Sequence, residues 1–408
     1  MRFRSCAAVI ALLFALLGAG SAGAVQFVDS AGRRVELPAQ IQRIMPAGPA
    51  SAVFVYVLVP NKLIGWPEPL SPAQRALLPA RYRRLPTIGQ LGGPFPTATA
   101  DDVERLHPDL IIGYGVINPP TIALADRIQQ QTHIPYLLID DSIQVMPQMI
   151  RALSPLLGAG SHGDEVGTYT FSAVALLRGQ LLIVPADKRP LVYYGRGPDG
   201  LETPLPGSAV ASVLEQAGAI NAAEGLGRGI VAPVTRDQLF AWNPQIVIAQ
   251  QRSFYNALLR SRQWAGLAAA ARKRIYLEPG APFGWIDDPP GLNRVIGLYW
   301  LSSLFYPDVY QQDLRSIART FYQLFYGIQL TDRQLEALVR PAENPEAASK
   351  QVANVPIFGA EPPPMPGTPP NPELALPPAG PPAGPPGRGG IGGGSGLPGP
   401  VPGGHGSP

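Results

Sequence analysis

The chain has 408 residues, a formal charge of +3, a single cysteine, 49 prolines and 45 glycines. So mild a balance, with no Lys/Arg block, excludes a nucleic-acid footprint. One cysteine excludes a disulfide framework and a Cys-X-X-Cys redox or zinc motif.

Met1, Arg2, Phe3 and Arg4 make a short basic start, followed by an apolar run over 7–17 and an A-x-A site at Ala22, Gly23 and Ala24. This is the pattern of a secretory signal peptide spanning 1–24, cleaved before Val25. The apolar run has about half the ~20 residues that a membrane span needs. Cys6 precedes that run and is badly placed to carry a lipid. Cleavage removes it, so the mature chain is expected to have no disulfide, no thiolate nucleophile and no thiolate metal ligand.

Two stretches align at a constant offset without gaps: "TADDVERLHPDLIIG" from Thr99 and "TRDQLFAWNPQIVIA" from Thr235. Each opens on a threonine in N-cap position. Gln238 completes a capping box, and Asp102 is a shorter stand-in that favours the helix start by its charge. Each helix should stop before Pro108 or Pro244, because the residue preceding a proline avoids helical geometry. A buried strand follows each proline, over 110–112 and 246–248. Further on, a helix and a strand recur in both halves, the strands reading "HIPYLLID" and "RKRIYLEP".

Alternating helices and short apolar strands imply an α/β class with a parallel sheet in each half, over 25–160 and 185–340. Between them, 161–184 reads as one long helix from a Ser161 cap to Pro185, about 30 Å in length. Gly167 and Gly179 weaken it by roughly 1 kcal/mol each relative to Ala. From 341 to 408 the composition turns to Pro and Gly, which is expected to form a disordered tail.

Late in the second half stands "GWIDDPPGLNRVIGLYWL". Adjacent side chains point different ways, so Asp287 and Asp288 do not converge on one proton or one metal. With Asn293 and Arg294 they read as a frame for the start of a helix, a carboxylate or amide capping free N–H groups and Arg294 pairing with one aspartate. The histidines at 107, 133, 162 and 405 form no H-x-x-x-H or H-x-H pair, and there is no G-x-S-x-G elbow or P-loop. Neither an enzyme, a resident metal nor a cofactor is expected.

In order along the chain, "FVDSAGRRVELPAQIQRI", "KLIGW", "HPDLIIGYG", "SAVASVLEQAGAINAA", "FGWIDDPPGLNRVIGLYWLSSLFYP" and "FYQLFYGIQLTDRQLEAL" resemble a periplasmic substrate-binding protein of the iron-complex and cobalamin ABC-importer class. The resemblance covers about 25–340. It implies two Rossmann-like lobes bridged by a single long helix, with a ligand cleft between them. The missing lipid-attachment cysteine implies a soluble periplasmic form rather than a tethered one, and a monomer is expected. The ligand so implied is a ferric siderophore, with haem, cobalamin, a nickel complex and molybdate as alternatives on the same architecture. The partner implied is an ABC permease dimer in the inner membrane, met through an acidic residue on each lobe. By alignment these are Asp101, where the family carries Glu, and Glu215; Asp102 or Glu104 would be substitutes for the first.

Ligands of open α/β sheets lie outside the carboxyl ends of the strands. Trp66, Tyr114, Tyr194, Arg196, Arg252, Tyr255 and Trp285 follow or close candidate strands. Guanidinium forks suit carboxylate or catecholate oxygens, and aromatic faces suit an organic shell. Trp285 is expected on the cleft edge. Two other readings stay open: a recruiting or sensing module that uses the Pro/Gly tail, and a periplasmic hydrolase acting on the chelate.

Overall fold

The computed structural model describes residues 25–339. The signal segment over 1–24 and the tail over 341–408 lie outside the described residues. In chain order the strands are β1 (Val25–Val28), β2 (Arg34–Leu37), β3 (Ile44–Pro46), β4 (Leu110–Gly115), β5 (Tyr136–Asp140), β6 (Leu191–Gly195), β7 (Glu202–Pro204), β8 (Ile220–Asn221), β9 (Val231–Pro233), β10 (Ile246–Ala249) and β11 (Ile275–Leu277). The longer helices are α1 (Pro49–Leu58), α2 (Ala100–Leu106), α3 (Pro119–Thr132), α4 (Met146–Leu157), α5 (Gly160–Leu181), α6 (Ala209–Gln216), α7 (Arg236–Trp242), α8 (Arg252–Arg260), α9 (Arg294–Phe305), α10 (Leu314–Tyr326) and α11 (Asp332–Val339).

Two parallel sheets carry the fold. One has the order β3-β4-β5 and the other β11-β10-β6-β8. Their central strands are buried on both faces, as covered parallel sheets require. Leu110 and Ile112 of β4, with Ile246 and Ile248 of β10, face one shared core. Ile111 and Val247 point the other way, into separate clusters outside each sheet. Strand alternation thus produces three apolar layers from two lobes. The β1–β2 hairpin is pinned to the first sheet by the buried Asp29 carboxylate, which accepts from Arg33 Nε at 2.9 Å and Leu138 N at 3.1 Å.

The helix α5 supplies Val166, Ala173, Val174 and Leu177 to the shared core. It starts one residue before Ser161, and no side chain caps it. It stops at Leu181, short of the expected 184. Pro185 forbids continuation, and the chain closes instead with a bond from Val184 N to Leu181 O at 3.1 Å. Among the described residues no helix is long and apolar enough to cross a membrane.

Both repeat helices have full capping boxes. Asp102 reaches the Thr99 backbone N–H at 2.9 Å as Gln238 reaches that of Thr235 at 2.8 Å, so the shorter side chain suffices. Each ends on a left-handed residue, His107 or Asn243, ahead of its proline.

Candidate ligand cleft at the strand ends

The carboxyl ends of the two sheets meet at the segment 284–294. Asp141, directly after β5, lies against Arg294 at the start of α9. Phe283 packs on Tyr56 of α1 and on Trp66, at 6.3 and 6.0 Å between ring centroids. The two sheets' strand ends, where a ligand cleft is expected, are therefore in contact through this stretch.

On the first wall, Tyr114 closes β4. Its N–H donates to Ser51 Oγ at 2.9 Å and its ring stacks on Phe54 at 5.0 Å. Burial pushes its phenol pKa up, while the nearby Arg294 guanidinium opposes that rise. Trp66 is also enclosed, its indole N–H donating to Tyr82 O at 2.8 Å.

On the second wall, one polar network ties three strand ends together. The Glu278 carboxylate, just past β11, receives the Tyr194 hydroxyl, Ile286 N at 2.6 Å and Asp287 N at 2.9 Å. Asp287 accepts from Arg196 Nε at 2.6 Å and from Gln250 Nε2 at 3.1 Å. Gln250 in turn accepts from Gly197 N at 3.1 Å. Burial, with the neighbouring Asp287 charge, pushes the Glu278 carboxyl up to about 8. That rise favours the protonated form, which eases the sharing of a buried site by two carboxyl groups.

Arg196 keeps 28% of its side chain exposed, against 2% for Asp287. Arg252, the first residue of α8, is half-buried, and its Nη1 is buried without a hydrogen-bond partner. Its pKa is lowered by that burial. Tyr255, one turn on, is buried.

Several sequence expectations change here. Trp285, expected on the cleft edge, has no exposed surface; its N–H donates to Tyr322 Oη at 3.0 Å and its ring meets Trp300 edge-on at 6.3 Å. Trp66, Tyr114, Tyr194 and Tyr255 are likewise buried, whereas Arg196 keeps part of its side chain exposed. Arg294 pairs with neither Asp287 nor Asp288; it spans to Asp141 and to Ala209 O at 3.1 Å. No side chain caps α9, and Asn293 donates to Pro289 O at 3.0 Å instead. The bulk of the shared core decides these outcomes, because an aromatic side chain gains more by burial than by lining water.

Asp101 and Glu215 are both exposed, on α2 and α6. Asp102 is occupied by its cap and by Arg105 at 2.5 Å, which leaves Asp101 and Glu104 as the free acids of that helix. Burial and the nearby Glu224 raise the Glu215 pKa. The sequence reading missed Asp237. It is exposed in the first turn of α7, and the gapless repeat that pairs Thr99 with Thr235 pairs it with Asp101. Glu278 was missed too; its only signal was a carboxylate directly after an apolar strand.

A groove of about 840 Å³ lies between α5 and α10, lined by His162, Asp164, Glu165, Tyr169 and Gln323 among others. None of its lining residues is at a strand end, so it is separate from the cleft. Among the described residues no cluster of His, Cys, Asp and Glu could hold a metal ion.

The sequence profile of the periplasmic binding protein family matches residues 58–281. An ABC transporter solute binding protein from Sulfurospirillum deleyianum is 27% identical, with a TM-score of 0.69, over 77% of this chain and 98% of its own. A periplasmic solute binding protein from Veillonella parvula is 20% identical, with a TM-score of 0.63, over 77% and 96%. A molybdate periplasmic binding protein of Haemophilus influenzae, solved with molybdate, is 21% identical, with a TM-score of 0.60, over 75% and 99%. No curated protein matches the chain.

Proposed function

The chain belongs to the periplasmic binding protein family, and we propose that it captures a ferric siderophore in the inter-lobe cleft and delivers it to an ABC importer. Arg252 is the observation that carries the ligand assignment. A guanidinium nitrogen buried without an acceptor is costly in an empty site and is satisfied by an anionic oxygen. Arg196 stands at the neighbouring strand end with part of its side chain free. The buried aromatics stiffen both walls, and a largely preformed cleft limits the ordering cost of binding. In this reading Arg196 and Arg252 touch the chelate, while Trp66, Tyr114, Tyr194, Tyr255 and Trp285 shape the wall behind them.

Delivery requires a docking face. Asp101 and Asp237 occupy equivalent positions on the two repeat helices, so they suit arginines on a two-fold permease; Glu215 is the other candidate on the second lobe. The mature protein works in the periplasm as a monomer.

The test is titration of the purified protein, by tryptophan fluorescence and calorimetry, with ferric catecholate, hydroxamate and citrate chelates, haem, cobalamin, nickel–histidine and molybdate. Saturable binding of a ferric chelate, weakened by Arg252→Ala, supports the reading. Binding of molybdate alone would replace it with an oxyanion carrier, which the same guanidinium could also serve.

A further inference from the structure

The two adjacent aspartates of the 284–294 segment divide into a frame and a displayed group. Asp287 is enclosed and satisfied by Arg196 and Gln250. Asp288, one residue on, is exposed, and its backbone takes a left-handed φ of 59°. Among the described residues, Asp288 uses its N–H on Asp287 Oδ1 at 2.8 Å, and its carboxylate receives no donor. The neighbouring charges are Asp287, which disfavours a second carboxylate, and Arg196, which favours it but is already committed through Nε. An exposed carboxylate with no protein donor therefore stands near the Arg196 guanidinium, one residue past the enclosed Asp287.

Resting on the function proposed above, we infer that Asp288 is a specificity-determining residue of the cleft. It accepts a cationic or N–H donor group carried by the organic shell of the chelate, beside the anionic oxygens taken by Arg196 and Arg252. A ligand with both kinds of group satisfies the whole floor. A bare oxyanion satisfies the arginines and meets repulsion from Asp288. The favoured class is thus a zwitterionic chelate.

The test uses two ferric tris-catecholate chelates on one lysine-based scaffold, one with a free ammonium arm and one with that arm acetylated. Each is titrated calorimetrically into the full chain and into Asp288→Asn, chosen because asparagine tolerates the left-handed conformation. The wild type should prefer the ammonium form about tenfold, and the preference should fall to about one in Asp288→Asn. Asp288→Glu should restore part of it, and thermal unfolding of each variant verifies the fold. Equal binding of both chelates by the wild type, or an unchanged preference in Asp288→Asn, overturns the inference while leaving the ferric-chelate function intact. Molybdate bound more tightly than either chelate overturns both.

Discussion

Arg294 and Asp141 meet inside the seam between the lobes. The Arg294 guanidinium donates to the Asp141 carbonyl and lies 3.7 Å from its carboxylate, with no part of the arginine exposed. The same side chain donates to Ala209 O and Gly291 O, each at 3.1 Å. One residue thus joins the end of β5, the start of α6 and the start of α9. The two lobes are thus held together by a shared core and by this contact.

Arg294→Met should lower stability by about 3–5 kcal/mol, because it leaves Asp141 and the carbonyls buried without their donor. Arg294→Lys should recover only part of that, since an ammonium cannot span three acceptors as a fork does. Urea unfolding followed by circular dichroism measures both. A wild-type midpoint for Arg294→Met would show that the shared core alone holds the lobes together.

Glu278 makes stability fall as pH rises. Its folded pKa of about 8 lies above the ordinary value of 4.5. Between those values the unfolded chain releases a proton that the folded chain keeps, so stability is highest below pH 4.5 and is lost as pH rises through 8. Glu278→Gln, which mimics the protonated carboxyl, should flatten this slope and raise the melting temperature at pH 8. An unaltered pH profile would place the titration elsewhere.

Trp285 and Arg252 should separate stability from binding. Trp285→Phe loses the bond to Tyr322 and part of the core, at a cost of roughly 1–3 kcal/mol. It should change the dissociation constant for a ferric chelate by less than about threefold. Arg252→Ala should do the reverse, weakening affinity by about tenfold or more with little loss of stability. Paired calorimetry and thermal melts on the two variants decide this. Strong loss of affinity in Trp285→Phe, at unchanged melting temperature, would return the indole to the cleft.

Charge reversal at Asp101 and Asp237 together should abolish stimulation of the reconstituted permease and its ATPase while leaving ligand affinity intact. Reversal at Glu215 alone tests the competing position on the second lobe. The double variant stimulating like wild type would remove the repeat helices from the docking face.

Much of the fold was legible because its signals are local. The Thr99 and Thr235 caps act over three residues, Pro108 and Pro244 end their helices by clashing with an adjacent residue, and strand alternation repeats every second position. These fix α2, α7, β4 and β10, and through them the two-lobed plan. The family resemblance rests on the order of such segments.

The cleft floor could not be read in that way. Arg196 finds Asp287 across 91 residues, Tyr194 finds Glu278 across 84, and Arg294 finds Asp141 across 153. Sequence put Arg196 and Arg252 just after strands and missed Glu278, and it offered Arg294 the nearest aspartates, which are excluded by the tight winding of 284–288. Likewise it offered Trp285 to the ligand, although the shared core encloses it. Local chemistry determines which elements form and where they stop. Which polar groups then meet is decided by packing, because each buried charge takes the partner that the apolar layers leave within reach.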